Sequence, residues 1–270
     1  MDMKSYTAEL LVKIRKKSPL VHNITNFVVM NSSANILLAI GASPVMAHCI
    51  SEVSEMTSLA DALVLNIGTL DEDWVASMIR AAKTANAKGI PVVLDPVGAG
   101  ATRLRSEMTK KIMSEVKISV LRGNASEIFS LASDEVKTRG VDSSLSVNDT
   151  VIDAAKTIAL EKNCIIAISG PNDMITDGQR TFRVSNGQPI MTRVTGIGCG
   201  LTAVVAAFCA VADGALLPAT AAAHGFYGLC GDLAFRSSQK PGSFFVEFID
   251  ELHSVGAEDI GAFLQVKETS

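Results

Sequence analysis

The sequence predicts an α/β domain of three layers, with helices covering both faces of a mainly parallel central sheet. Three observations carry this. Residues 62–67, 91–94, 118–121 and 164–169 are short, nearly continuous apolar runs. They lack the polar alternation of a half-exposed strand, so they read as strands buried on both faces. Segments with helical spacing of apolar residues lie between them, the alternation that builds a parallel sheet with covering helices. Each run also ends in or beside polar residues and glycines: Asn66 and Gly68, Asp95, Arg122 and Asn124, Ser169 and Gly170. Ligands of such sheets bind beyond the carboxyl ends of the strands.

The remaining elements follow in order. Residues 5–17 read as an amphipathic opening helix whose basic cluster, Lys13 to Lys17, is a solvated end. Residues 20–24 read as a strand, 27–40 as a helix stopped by Gly41, and 43–47 as an extended segment. Residues 74–87 are helical up to Gly89, as are 107–115, and 125–131 follow the N-cap Asn124. Ser146 is placed to cap a helix running to residue 160. Residues 174–176 and 180–184 form a hairpin around Asp177-Gly178, and 188–192 read as a further strand. Residues 201–256 are mostly helical, and the polar stretch 133–146 reads as a flexible loop. With no linker, low-complexity tract or internal repeat, residues 1–270 read as a single domain.

Composition narrows the function classes. At 270 residues the chain can bury a large core. Its 48% hydrophobic content and mean hydropathy of +0.31 point to a large core or a buried subunit interface. A net charge of −4 supplies no basic footprint for nucleic acid. The longest apolar run, residues 203–212, is too short to span a bilayer. No apolar segment of signal-peptide form follows the basic cluster. The five cysteines, Cys49, Cys164, Cys199, Cys209 and Cys230, are scattered, odd in number and without C-x-x-C spacing. A reduced, cytoplasmic setting fits them best.

The chemistry centres on Arg193-Val194-Thr195-Gly196-Ile197-Gly198-Cys199-Gly200, before a small-residue apolar run that reads as a buried helix. Glycines let the backbone approach a ligand, and a helix N-terminus offers unpaired N–H groups and partial positive charge to an anion. Cys199 falls in the first turn, where the dipole favours a thiolate. The pattern is neither G-x-G-x-x-G nor a P-loop. Asp95, Glu127, Arg122 and the glycine-rich helix start are what magnesium-assisted phosphoryl transfer requires, since Mg²⁺ needs only one or two carboxylates and Arg clamps phosphate with a planar fork. Each residue also has a plainer reading. The glycine loop can simply close a turn with Cys199 as a core residue, Asp95 can start a turn before Pro96, and Glu127 can compensate a helix dipole. Arg122 can form a surface ion pair, and Asn66 can cap a turn. The polar cluster His22-Asn23-Ile24-Thr25-Asn26 suits either a helix cap or a pocket wall, and His224, in an Ala-rich helix, reads as a packed core residue.

Several stretches together resemble the hydroxyethylthiazole kinase family, which has the ribokinase-like fold. They are Pro19-Leu20-Val21-His22-Asn23-Ile24-Thr25-Asn26, Gly41-Ala42-Ser43-Pro44-Val45-Met46, Leu63-Val64-Leu65-Asn66-Ile67-Gly68-Thr69-Leu70, the segment from Val93 through Asp95 to Thr102, Leu121-Arg122-Gly123-Asn124-Ala125-Ser126-Glu127-Ile128, and the glycine–cysteine loop. The resemblance implies ATP-dependent phosphorylation of the hydroxyl of 4-methyl-5-(2-hydroxyethyl)thiazole in thiamine salvage. It implies thiazole contacts from Met46, Asn26 and the backbone of Gly196. Arg122, Ser169 and Gly198 fall at ATP-binding positions, and Asp95 and Glu127 near Mg²⁺ and the phosphates. Cys199 stands where most ribokinase-like enzymes carry a catalytic Asp, and a homotrimer with sites between subunits is implied. Ser169 stands where Thr is usual. Ile197 replaces a smaller residue and Gly200 a larger one, so Ile197 is expected to crowd the loop and Gly200 to loosen the helix start. A kinase of another small alcohol, such as a hydroxymethylpyrimidine or pyridoxal, and a non-catalytic binding protein remain the alternatives.

Overall fold

A computed structural model of the chain describes residues 1–132 and 147–269. The loop expected at 133–146 and the capping role of Ser146 lie outside them. A nine-stranded sheet organises the rest, in the order β2-β1-β3-β4-β5-β6-β7-β8-β9. Its strands are β1 (Leu20–Ile24), β2 (Ser43–Val45), β3 (Ala62–Asn66), β4 (Val92–Asp95), β5 (Val120–Asn124), β6 (Ile165–Ser169), β7 (Asp173–Thr176), β8 (Thr181–Val184) and β9 (Val266–Thr269). β2 through β6 pair in parallel, and β7, β8 and β9 extend the sheet antiparallel.

The helices are α1 (Met3–Lys17), α2 (Met30–Ile40), α3 (Val53–Leu59), α4 (Glu72–Lys88), α5 (Arg103–Glu115), α6 (Ala125–Ser130), α7 (Val147–Lys162), α8 (Ile197–Ala210), α9 (Leu216–Ser237), α10 (Pro241–Ser254) and α11 (Ala257–Phe263). Successive strand residues face opposite sides, so each strand feeds two cores. Ala62, Val64, Val93, Val120 and Ala167 join the core beneath α1, α2, α8, α9 and α10. Leu63, Leu65, Leu94, Leu121, Ile166 and Ile168 join the core shared with α4, α5 and α7. α8 lies over β1, β3 and β4, while α4 covers β3 and β4 from the opposite face. This is the three-layer arrangement the sequence predicts, and the continuous apolar runs follow from burial on both faces.

Three expectations need correction. Residues 188–192 are not a strand; Pro189–Arg193 form a 3₁₀ turn. Pro189 occupies its first position, where a fixed φ suits helix and the missing N–H is not needed. The helix expected from residue 27 begins at Met30, because the Asn26 side chain accepts the Val28 N–H at 3.1 Å and folds 26–29 into a turn. The expected helix at 107–115 gains a turn, since Thr102 caps it at Arg103. α3, α11 and β9 are additional.

Candidate active site

The alternation that builds the two cores also builds the site. Asn66, Asp95, Arg122 and Ser169 have the same strand parity as Ala62 and Val64, Val93, Val120 and Ala167. All four therefore project toward the α8 side, at the carboxyl edge, beneath the first turn of α8. Gly196 is the N-cap of that helix, with φ +88°. A Cβ there would be strained and would lie 2.8 Å from Ser32 Oγ. The first intrahelical bond runs from the Gly200 N–H to the Gly196 carbonyl at 2.7 Å. The N–H groups of Ile197, Gly198 and Cys199 precede it and have no intrahelical partner. Among the described residues no side chain caps this end.

Arg122 donates from Nε and Nη2 to Ser169 Oγ at 3.1 and 2.6 Å. Its Nη1 lies 3.7 Å from Asp95 Oδ2. A Cβ on Gly198 would sit 3.4 Å from the same Nη1, so the guanidinium lies directly against the helix start. Asp95 Oδ2 accepts bonds from Asn66 Nδ2 at 2.9 Å and Thr202 Oγ1 at 2.8 Å. Asn66 Oδ1 in turn accepts from Asn26 Nδ2 at 2.8 Å, and the same amide nitrogen reaches Cys199 Sγ at 3.6 Å. A polar chain thus runs from Asn26 through Asn66 and Asp95 to Thr202, with Arg122 and Cys199 beside it.

Burial sets the proton affinities. It raises the Asp95 carboxyl to about 6 against the pull of Arg122 and its two hydrogen bonds. Burial, reinforced by the Asp95 charge, pushes the Cys199 thiol up to about 11, with Asn66, Arg122 and Asn26 opposing. The thiolate expected from the helix dipole is therefore corrected. Desolvation outweighs the dipole, and Cys199 is a thiol at neutral pH.

The other expected residues fall in different places. Met46 is half-buried, directly after edge strand β2 at the same carboxyl edge but outside the polar chain. Glu127 Oε2 accepts the Asn124 N–H and Oε1 the Gly98 N–H, both at 2.8 Å. It completes a capping box with Asn124 and ties α6 to the loop after β4. Among the described residues no three His, Cys, Asp or Glu side chains converge as a metal cage. Two oxygen-bearing carboxylates without a cage still fit Mg²⁺, which keeps waters and shares the phosphates of its nucleotide. His22 is fully buried; its Nδ1 meets Thr57 Oγ1 at 3.0 Å and its Nε2 the Ala47 carbonyl at 2.7 Å. Thr202 was not singled out in the sequence. Its one signal is the i+3 spacing from Cys199, which places both on one helix face.

Packing explains both residues expected to disturb the loop. Ile197 turns into the core, and its carbonyl accepts the Tyr227 hydroxyl at 2.8 Å. At Gly200 an added Cβ would collide with Ile36 Cδ1 and lie 2.8 Å from the Tyr227 hydroxyl oxygen. Gly200 is thus a close-approach position. Gly200→Ala is expected to lower the Tm by about 5 °C, or about 2 kcal/mol, because overpacking exceeds the gain in helix propensity. A circular dichroism melt checks this; an unchanged Tm would show that Ile36 and Tyr227 yield freely.

A helix start with free N–H groups over a parallel carboxyl edge, beside an Arg–Ser pair and a buried carboxylate, sits on a ribokinase-like fold. The fold is shared with the pyridoxal kinase of Staphylococcus aureus in complex with AMP-PCP and pyridoxal, at TM-score 0.63 and 16% identity over 93% of this chain and 98% of that one. Sequence then fixes the family. The sequence model of the hydroxyethylthiazole kinase family matches residues 11–258. A hydroxyethylthiazole kinase of Desulfotalea psychrophila is 52% identical over 97% of this chain and 96% of its own. The structure of a hydroxyethylthiazole kinase protein from Pyrococcus horikoshii OT3 superposes with TM-score 0.90 at 42% identity, covering 98% of this chain and all of that one. The chain belongs to the hydroxyethylthiazole kinase family.

Proposed function

We propose that the chain transfers the γ-phosphoryl group of ATP to the hydroxyl of 4-methyl-5-(2-hydroxyethyl)thiazole, the thiamine-salvage reaction of its family. The observation that carries this is the Arg122–Ser169 pair lying against Gly198 at the uncapped start of α8. In this reading Arg122, Ser169 and Gly198 hold the ATP phosphates, and the N–H groups at the helix start meet charge developing on the transferred group. Asp95 and Glu127 are the carboxylates that would hold Mg²⁺, which neutralises phosphate charge when bound. Met46, Asn26 and the Gly196 backbone face the thiazole. The hydroxyl oxygen bonds to the γ-phosphorus as the bond to the β–γ bridging oxygen breaks. ADP leaves, and the hydroxyl proton passes late to solvent water, as a loose transition state allows. A thiol at about 11 is a poor base at neutral pH, so Cys199 positions the hydroxyl.

Two further properties belong to the same reading. A homotrimer with sites shared between subunits accounts for Phe27 and Val28, each 64% exposed directly after Asn26. Phe27 packs at a tilt against Trp74, ring centroids 4.7 Å apart, forming an apolar rim that a second copy would cover. Light scattering at three times the 28.4 kDa chain mass supports the trimer, and a monomer overturns it. The sheet takes strands from both ends of the chain, which supports one kinase domain over residues 1–270. A cytoplasmic setting accords with five free cysteines. Among the described residues no helix is long and apolar enough to cross a membrane.

The decisive experiment is ADP release with ATP and Mg²⁺, with and without hydroxyethylthiazole, beside pyridoxal, hydroxymethylpyrimidine and ribose. Thiazole-dependent release is expected. Release with another alcohol alone would move the substrate, and thiazole binding without release would leave a binding protein.

A further inference from the structure

Ser169 ends β6 and pairs with Asn124 of β5, while its other side leads into a turn that the β6–β7 ladder does not reach. The antiparallel pairing of β6 with β7 ends at Ile168 and Met174. Beyond it, residues 169–173 reverse direction without ladder bonds between the strands. The turn is bridged instead by Asp173, which accepts the Gly170 N–H on Oδ1 at 2.9 Å. The other oxygen, Oδ2, lies 2.7 Å from Nδ1 of His224, in the middle of α9. A carboxylate only accepts, so His224 donates from Nδ1. The His224 side chain is fully buried, and Asp173 is largely so. Among the described residues His224 Nε2 has no hydrogen-bond partner. An unpaired polar atom in the interior destabilises the fold, so apolar packing alone would favour an aliphatic side chain here. What the histidine supplies that an aliphatic residue cannot is the anchor on Asp173.

We propose that Asp173 and His224 are a positioning pair that fixes the β6–β7 turn and, through Gly170, steadies the Ser169 hydroxyl against Arg122. The proposal rests on the reading of Arg122 and Ser169 as nucleotide-binding residues. The path is continuous: His224 to Asp173, Asp173 to the Gly170 N–H, and the adjacent Ser169 to Arg122. Neither member of the pair reaches the polar chain of Asn26, Asn66 and Asp95 through a hydrogen bond, so the pair acts on the ATP half of the site. Losing the anchor frees the Asp173 side chain, loosens Gly170 and lets the Ser169 hydroxyl drift from the guanidinium.

The test is steady-state kinetics of the full chain with both substrates varied. His224→Leu keeps the apolar volume and removes the donor. It is expected to raise the KM for ATP about 10-fold, with the KM for thiazole changed less than about 2-fold, the scale on which small misplacements of binding groups act. His224→Asn returns an N–H donor near the Nδ1 position and is expected to restore most of the loss. An unchanged KM for ATP in His224→Leu, an equal rise in both KM values, or the same loss in the Leu and Asn variants would overturn the proposal. Should His224→Leu not fold, Asp173→Ala leaves α9 packing intact and must show the same ATP-selective rise, or the proposal falls. Ser169→Ala is the reference. If it raises the KM for ATP while the His224 and Asp173 variants do not, the positioning pair alone is wrong. If it has no effect, the nucleotide reading of Ser169 fails, and the pair with it.

Discussion

Arg122→Ala is expected to lower kcat/KM for ATP by about a thousandfold, the range found where an arginine supports phosphoryl transfer. The side chain is 10% exposed and touches three parts of the site: Ser169, Asp95 and the start of α8. Its planar fork can meet two phosphate oxygens at once, which Lys cannot do, so Arg122→Lys should recover only a minor part of the loss. Removing Arg122 also strips Asp95 of the positive charge that holds its carboxyl down, and that carboxyl rises further above about 6. Cys199→Ala is the comparison, with an expected loss nearer tenfold, because a thiol that positions a hydroxyl contributes less than a charge on the transferred group. Steady-state kinetics decide the order. A larger loss for Cys199→Ala than for Arg122→Ala would show that the thiol does more than position.

Asp95→Asn is expected to separate turnover from stability. Turnover should fall about a hundredfold or more, the effect of losing one electrostatic contributor to the transition state. Stability follows the carboxyl's proton. The amide oxygen can still accept from Asn66 and Thr202, while the buried charge disappears. The folded protein holds the Asp95 proton up to about pH 6, against 3.8 for an ordinary carboxyl. The associated stability is fully present below the unfolded value and is lost as pH rises through the folded one. Wild type should therefore gain on Asp95→Asn as pH falls from 7 toward 4, by up to about 3 kcal/mol. Chemical denaturation at pH 7.5 and 5, without nucleotide or magnesium, measures it. A wild type that instead loses ground on acidification would show that attraction to Arg122 outweighs desolvation.

The sequence discloses most of the sheet and, through the motifs of the resemblance, most of the residues at its edge, for one physical reason. Strands covered on both faces must be apolar throughout, so runs such as Ala62-Leu63-Val64-Leu65 stand out, and the first polar residue after each marks the carboxyl edge. β9 did not stand out because it pairs with β8 alone and carries Lys267 and Glu268. Residues 188–192 imitated a strand because Ile190 and Met191 are apolar, although Pro189 had already set a helical φ. At the site, Thr202 hid as a β-branched residue in an apolar helix, and only contact with Asp95 separates it from a core residue. For Cys199 the helix start is visible in sequence, whereas the depth of burial that keeps it a thiol is not.

The two faces of the sheet carry different thicknesses of side chain. β3 presents Ala62 and Val64 to α8 but Leu63 and Leu65 to α4, and β4 and β5 repeat the contrast with Val93 against Leu94 and Val120 against Leu121. The face beneath α8 is thin, which lets an Ala-rich helix settle close to the strands with its first turn low over Asp95. The height of that helix is in effect a dimension of the active site. An added methylene at Ala62 or Val64 would act as a shim, lifting Cys199 and Thr202 from the carboxyl edge without touching either. Some residues that tune such an enzyme can therefore lie a full strand length from its chemistry, in positions whose only visible property is being small.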